Sequence, residues 1–127
     1  MGKIEIDLKK PVIVLDVTIE GRFIETAKMA LDTGASCVMI PWKLAKSLGL
    51  NPELSQEKIE TITASGTEIV PVVILPAVSV LGCKAKEVRA LVHDLPSKSY
   101  VDGLLGLSFL RNFNVKLQFK EGFLEIE

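Results

Sequence analysis

Ala30-Leu31-Asp32-Thr33-Gly34-Ala35-Ser36 is the stretch that decides how this chain is read. The run Ala27-Lys28-Met29-Ala30-Leu31 leads into it, reads as a strand, and delivers one carboxylate at its far end. Gly34 permits a tight turn immediately afterwards. The hydroxyls of Thr33 and Ser36 and the freed backbone N–H groups can all donate hydrogen bonds to a carboxylate held there. An Asp-Thr-Gly tripeptide alone is ordinary, because Asp and Gly are common turn residues. Its surroundings set it apart. Val38-Met39-Ile40 follows as an apolar triplet closed by Pro41, and far downstream stands a second apolar segment bracketed by glycines, Gly103-Leu104-Leu105-Gly106.

Working outward, strand signals dominate. Residues 12–19 are rich in β-branched side chains and Glu20-Gly21-Arg22 gives a turn, so residues 23–31 return as the second arm of a hairpin that ends on Asp32. Trp42-Lys43-Leu44-Ala45-Lys46-Ser47-Leu48 has helical spacing and Gly49 stops it; Trp42 reads as a packing anchor rather than a ligand platform. Residues 58–75 read as two arms around Ala64-Ser65-Gly66-Thr67, a turn that suits Gly at a positive φ. Pro71 and Pro76 cannot donate to a ladder, so this hairpin is expected to run along an edge or stand free. Residues 77–81 and 87–92 are expected to pair around Gly82-Cys83-Lys84, and residues 94–102 form a polar loop. A short helix is expected over 107–113, then a half-buried strand in which Val115, Leu117 and Phe119 alternate with polar residues, then a last strand over 123–126. Many short strands with two short helices predict a mainly β fold, a closed barrel or sandwich.

Composition sets bounds on partners. The 127 residues read as a single domain, 1–127. The chain is 48% hydrophobic with a mean hydropathy of +0.35, so either its core is well filled or apolar surface is buried against a second subunit. Fifteen basic and 16 acidic residues leave a net charge of −1 without a polybasic run, which argues against nucleic acid and anionic membrane as partners. The N-terminus carries Glu5 and Asp7 among its apolar residues and has no signal-peptide core, and no apolar run approaches the roughly 20 residues that span a bilayer, so a cytoplasmic location is expected. Cys37 and Cys83 fit no zinc or CxxC spacing and read as two reduced thiols, with a disulfide between them left open. There is no His/Asp/Glu ligand cluster, so no metal or other cofactor is expected and a metal-dependent hydrolase falls well behind.

On Asp32-Thr33-Gly34-Ala35-Ser36, on Leu104-Leu105-Gly106 and on Thr63-Ala64-Ser65-Gly66-Thr67, the chain resembles the single-domain, retroviral-type (retropepsin-like) aspartic peptidases, half-sized relatives of the pepsins. The resemblance runs from near Val12 to the C-terminus and implies one half of a pepsin-like fold. It implies an endopeptidase in which two carboxylates share one proton, one acting as base on water and the other as acid toward the scissile carbonyl. The chain has no second such motif, and Asp102-Gly103 reads as a turn. A two-fold homodimer supplies the missing half, Asp32 from each subunit, because an isologous interface repeats every residue.

The resemblance assigns roles to the neighbours. Gly34 would let the carboxylates lie coplanar, Thr33 would reach the partner backbone, Ser36 would bond an outer carboxylate oxygen, and Ala35 would be a small filler. Simple turn-capping is the alternative for Thr33 and Ser36. Residues Ala64, Ser65, Gly66 and Thr67 stand where the family carries its flap, without the Tyr of pepsin flaps or the Gly-rich tip of the viral enzymes. Leu104, Leu105 and Gly106 would pass beneath the dyad as structural support. His93, the one histidine, has no serine or cysteine motif beside it and reads as a surface strand-end residue. The C-terminal strand over 123–126 is expected to form part of the dimer interface, together with the N-terminal strand. A catalytically silent dimerisation or peptide-binding module on the same fold is the rival reading, and the joint presence of Asp32, Thr33, Gly34 and Ser36 favours the enzyme. A peptide or protein substrate is implied.

Overall fold

The computed structural model describes residues 2–63 and 65–127, so Ala64 of the expected flap turn lies outside the described residues. Its strands are β1 (Gly2–Glu5), β2 (Val14–Glu20), β3 (Ile24–Leu31), β4 (Val38–Ile40), β5 (Lys58–Thr63), β6 (Gly66–Val80), β7 (Cys83–Val92), β8 (Gly103–Leu105), β9 (Val115–Gln118) and β10 (Phe123–Ile126). Two short helices, α1 (Trp42–Ser47) and α2 (Leu107–Leu110), fall inside the segments read as helical. Among the described residues no helix is long and apolar enough to cross a membrane.

Period-2 alternation decides which face each strand turns inward. Along β2, Leu15, Val17 and Ile19 are buried while Asp16 faces out. β2 pairs antiparallel with β3 from Val14↔Ala30 to Glu20↔Ile24. β8 lies parallel to the other edge of β3 (Met29↔Gly103 to Leu31↔Leu105), and the order then runs β4, β7, β6. The pairing of β2 with β6, Thr18↔Ser79 to Glu20↔Ala77, closes the six strands into a barrel, with β5 outside it on β6. Closure removes the exposed edges that an open sheet of this size would carry. Phe109 from α2 is fully buried in the barrel core, its ring 5.0 Å from that of Phe113. A buried side chain of this size stabilises the fold by roughly 1.5–3 kcal/mol. Trp42 packs half-buried against the same core, as an anchor.

Two expectations are corrected and a third is given its setting. First, β6 runs unbroken for 15 residues, so the inner arm of the hairpin and the strand expected separately over 77–81 are one strand, while residues 66–71 pair only with the edge strand β5, as expected of a hairpin at an edge. Pro71 sits at the last pair with β5, opposite Lys58, and the β6–β7 ladder omits the position of Pro76, which faces Glu87 at φ 54°. The missing donors therefore fall where no ladder bond is needed. Second, the β6–β7 turn is the pair Leu81-Gly82, with φ of 51° and 80°, bracketed by Val80↔Cys83. Both central residues at positive φ make this the tight hairpin turn whose twist matches its strands. β7 therefore starts at Cys83, with Cys83 and Ala85 turned inward and Lys84 and Lys86 outward. Third, β10 is the middle strand of a separate sheet, β1-β10-β9, so the strand expected at an interface has both edges paired within its own chain.

Candidate active site

Asp32 sits where β3 leaves the barrel. Its neighbour Leu31 donates to the Ile13 carbonyl at 2.9 Å, and Asp32 itself donates its N–H to the Leu105 carbonyl at 3.1 Å. The parallel β3–β8 pairing therefore continues up to the carboxylate residue. The Gly34 N–H donates to Asp32 Oδ1 at 2.9 Å and the Ala35 N–H to the Asp32 carbonyl at 3.2 Å. Side chain and backbone of Asp32 thus both close the turn, and the carboxylate is held in one orientation, half-buried.

The support beneath this loop is built from the second glycine-bracketed segment. Leu107 donates to the Ala35 carbonyl at 2.8 Å. Gly106 is packed so closely that a Cβ would lie 2.4 Å from the Cys37 carbonyl oxygen and 2.6 Å from that of Ala35. Ser108 adds a bridge: its hydroxyl accepts from the Val38 N–H at 2.8 Å and donates to the Arg89 carbonyl at 2.7 Å. Residues 32–38 are therefore fixed from β8, α2 and β7 together.

The expected site residues separate into two groups. Asp32, Gly34, Ala35, Leu105 and Gly106 are brought together by these bonds. The exposed Ser36 has its hydroxyl 4.0 Å from Cys37 Sγ, while the Asp32 carboxylate takes the Gly34 N–H; Thr33 is exposed. Leu104 pairs with Met39 of β4 and faces a neighbouring cavity. Asp102 is a staple and not a second acid: Lys28 N–H donates to its Oδ2 at 3.1 Å, and its own N–H donates to the Lys28 carbonyl at 2.8 Å.

Beside the loop, β5 and the outer part of β6 form a hairpin paired from Lys58↔Pro71 to Thr63↔Gly66, and Gly66 has the expected positive φ, 120°. Pairing in this register puts Ile62 and Ile69 on one face, both exposed, and Thr61 and Glu68 on the other. The second face covers a cavity of about 430 Å³ lined also by Met39, Leu95, Pro96 and Leu104. A small apolar cluster, Val70, Val72 and Leu91 with Cys37, Met39 and Ile59, joins the hairpin base to the Asp32 loop. Arg89 grips Glu57 at the hairpin base through both guanidinium nitrogens. This bond holds the Glu57 carboxyl below its ordinary range and raises Arg89 above its own. Ser108, Arg89 and Glu57 carried no sequence signal, because their partners are distant in the chain and two of their bonds are to backbone carbonyls or N–H groups.

A family model described as aspartyl protease matches residues 15–109, a span that contains every element of the barrel and the whole Asp32 loop. The chain belongs to the aspartyl protease family. Among solved structures, this aspartyl protease is similar to a retropepsin-like aspartic protease from Rickettsia conorii, with a TM-score of 0.73 and 22% identity over 100% of this chain and 99% of that one. At that identity the likeness establishes the fold, one half of the pepsin type with a closed barrel. No curated protein matches the chain.

Proposed function

We propose that this aspartyl protease, with residues 1–127 acting as one domain, is an endopeptidase whose catalytic dyad is Asp32 from each subunit of a homodimer. The observation that carries the reading is the Asp32 loop: one carboxylate, oriented by the Gly34 N–H at 2.9 Å and seated on Leu105 and Gly106. One such group cannot serve as base and acid in the same step. Two of them about 3 Å apart across a two-fold axis cannot both ionise, so they share a proton. The ionised partner takes a proton from water as that water attacks the scissile carbonyl carbon. The protonated partner polarises the carbonyl oxygen, and the pair then returns a proton to the leaving amine. The titration belongs to the pair.

In this reading Thr33, exposed on the loop, reaches the partner's loop, and Ser36 supports the carboxylates once the second subunit is in place. The β5–β6 hairpin, with Ser65, Gly66 and Thr67 at its turn, covers an extended peptide. The outer edges of β1 and β9, which pair with no other strand among the described residues, are available to the second copy. Both cysteines are free thiols, which supports a reducing, cytoplasmic setting.

The test is Asp32→Asn, which keeps the shape and most hydrogen bonds of Asp but cannot accept or share the proton. Cleavage of a mixed peptide library should fall by about a thousandfold or more, with fold and dimer retained, and wild-type cleavage should be blocked by a statine-type inhibitor. Full activity in the Asn variant would falsify the dyad. Sedimentation equilibrium showing only a 13.9 kDa species at micromolar concentration would remove the homodimer.

A further inference from the structure

The β5–β6 hairpin leaves the body at Val72, where the β6–β7 ladder ends at its pairing with Leu91. Beyond that point Glu68 faces the cavity, and its carboxylate makes two contacts. Oε2 lies 3.2 Å from His93 Nε2, and Oε1 accepts from the Ser65 hydroxyl at 3.4 Å. His93 stands on firm ground: its N–H donates to the Ile40 carbonyl at 2.9 Å, just past the end of β7. One carboxylate therefore connects the hairpin turn to the body across the cavity. Leu104 lines that cavity, and the next residue, Leu105, holds the Asp32 N–H. The cavity beneath the hairpin is thus one residue along β8 from the carbonyl that seats Asp32. His93, read from sequence as a plain surface residue, is half-buried and engaged.

We propose that His93 is a positioning residue for the hairpin: charged, it holds Glu68 and closes the hairpin over the cleft, and neutral, it releases it. This rests on the peptidase reading only for its effect on substrate. Histidine is the side chain that changes charge between pH 5 and 8, and the attraction needs an ionised Glu68 as well. The attraction therefore belongs to the acid side of neutral and is absent when the imidazole carries no charge. The charged groups lining this cavity are Glu68 from β6, His93, and Asp94 from the loop after β7, whose Oδ1 accepts the Trp42 N–H at 2.9 Å; β4 and β8 contribute the apolar Met39 and Leu104. An ordered hairpin limits substrate escape, so the signature in catalysis is a lower KM with kcat little changed.

The experiment is hydrogen exchange of amides 65–70 in the full chain at pH 5.5 and 8.0, corrected for the intrinsic pH dependence of exchange. A partly exposed ion pair of this kind shifts an opening equilibrium about two- to fivefold. Wild type should be that much more protected at pH 5.5 than at pH 8.0. His93→Gln and Glu68→Gln should show the lower protection at both values, and His93→Lys, cationic throughout, the higher protection at both. For a cleaved peptide, KM of His93→Gln should exceed that of wild type at pH 5.5 and equal it at pH 8.0. Equal wild-type protection at the two values, or the same pH difference in His93→Gln, overturns the proposal. These exchange readings do not depend on cleavage, so a failure of the dyad in Asp32→Asn is seen separately.

Discussion

Replacing Gly106 by alanine isolates the contact on which the Asp32 loop rests. The backbone there, at φ −93° and ψ −169°, is open to any residue, so the substitution adds no backbone strain. What it adds is one methyl carbon, 2.4 Å from the Cys37 carbonyl oxygen, 2.6 Å from that of Ala35 and 2.7 Å from the Cys37 carbonyl carbon. Non-bonded carbon contacts are comfortable near 3.5 Å, so these atoms must retreat by about 1 Å. All three are backbone atoms, in a loop already tied by the Leu107-to-Ala35 bond and by Ser108. No rotamer change can absorb the clash. Overpacking costs about 1–3 kcal/mol, and the upper end is expected here. For a chain of this size that corresponds to a fall of about 10 °C in Tm, measured by calorimetry on both proteins at one concentration. Cleavage should fall further, since a 1 Å displacement of reacting groups costs on the order of a hundredfold. A Tm within about 2 °C of wild type, with normal cleavage, would show that the loop yields freely and that Gly106 is not its seat.

Two further substitutions probe the same support. Ser108→Ala removes the acceptor of the Val38 N–H and the donor to the Arg89 carbonyl, and should cost about 1–3 kcal/mol in urea denaturation, with the m-value unchanged. Glu57 is held below its ordinary value of 4.5 by the Arg89 guanidinium, so its contribution to stability is present above pH 4.5 and lost as the pH falls through its lowered folded value. Glu57→Gln should therefore lower Tm at pH 6–7, with the gap to wild type closing on acidification below 4.5; a gap that stays constant refutes the assignment. Wild-type cleavage should follow a bell-shaped pH profile centred on the acid side of neutral, because the proposed dyad works with one shared proton.

The barrel was legible wherever its signal is local. Alternation marks Leu15, Val17 and Ile19, and the apolar triplet before Pro41 marks β4 without ambiguity. Proline places the outer hairpin at an edge but does not end β6, because it removes only a donor. Opposite the last β5 pair, or facing a residue such as Glu87 that itself leaves the ladder, a proline interrupts nothing. The parallel pairing of Leu31 with Leu105 has no periodicity to announce it, since three residues of β8 are too few to show one. The resemblance of Leu104-Leu105-Gly106 to a family element implies a segment beneath the dyad but not this pairing. The side-chain network around the loop was not legible at all. A serine that binds a backbone N–H from one strand and a carbonyl from another, as Ser108 does, looks in sequence like any serine in a short helix. The expected Ser36 contact illustrates the reverse case, where a family role is read onto a hydroxyl that in the single chain faces Cys37 Sγ.

The position of β10 bears on how the proposed dimer comes apart. Leu124 and Ile126 are fully buried in the core of their own chain, and β10 is hydrogen-bonded on one side to β1 and on the other to β9. Each copy therefore brings a finished three-stranded sheet to the interface, and separating two copies breaks none of the bonds that hold β10. The Asp32 loop is likewise seated on β8, α2 and β7 of its own chain. In the proposed dimer, dissociation removes the second carboxylate and the contacts of Thr33 and Ser36 that depend on it, and leaves each loop on its own seat. Dilution should therefore reduce cleavage per chain steeply, as the dimer population falls, while the far-UV circular dichroism keeps its β signal unchanged. Measuring both on one dilution series decides the point. A β signal that fades in step with activity would mean that the strands are shared between copies, and the self-contained sheet would then be the wrong account of the assembly.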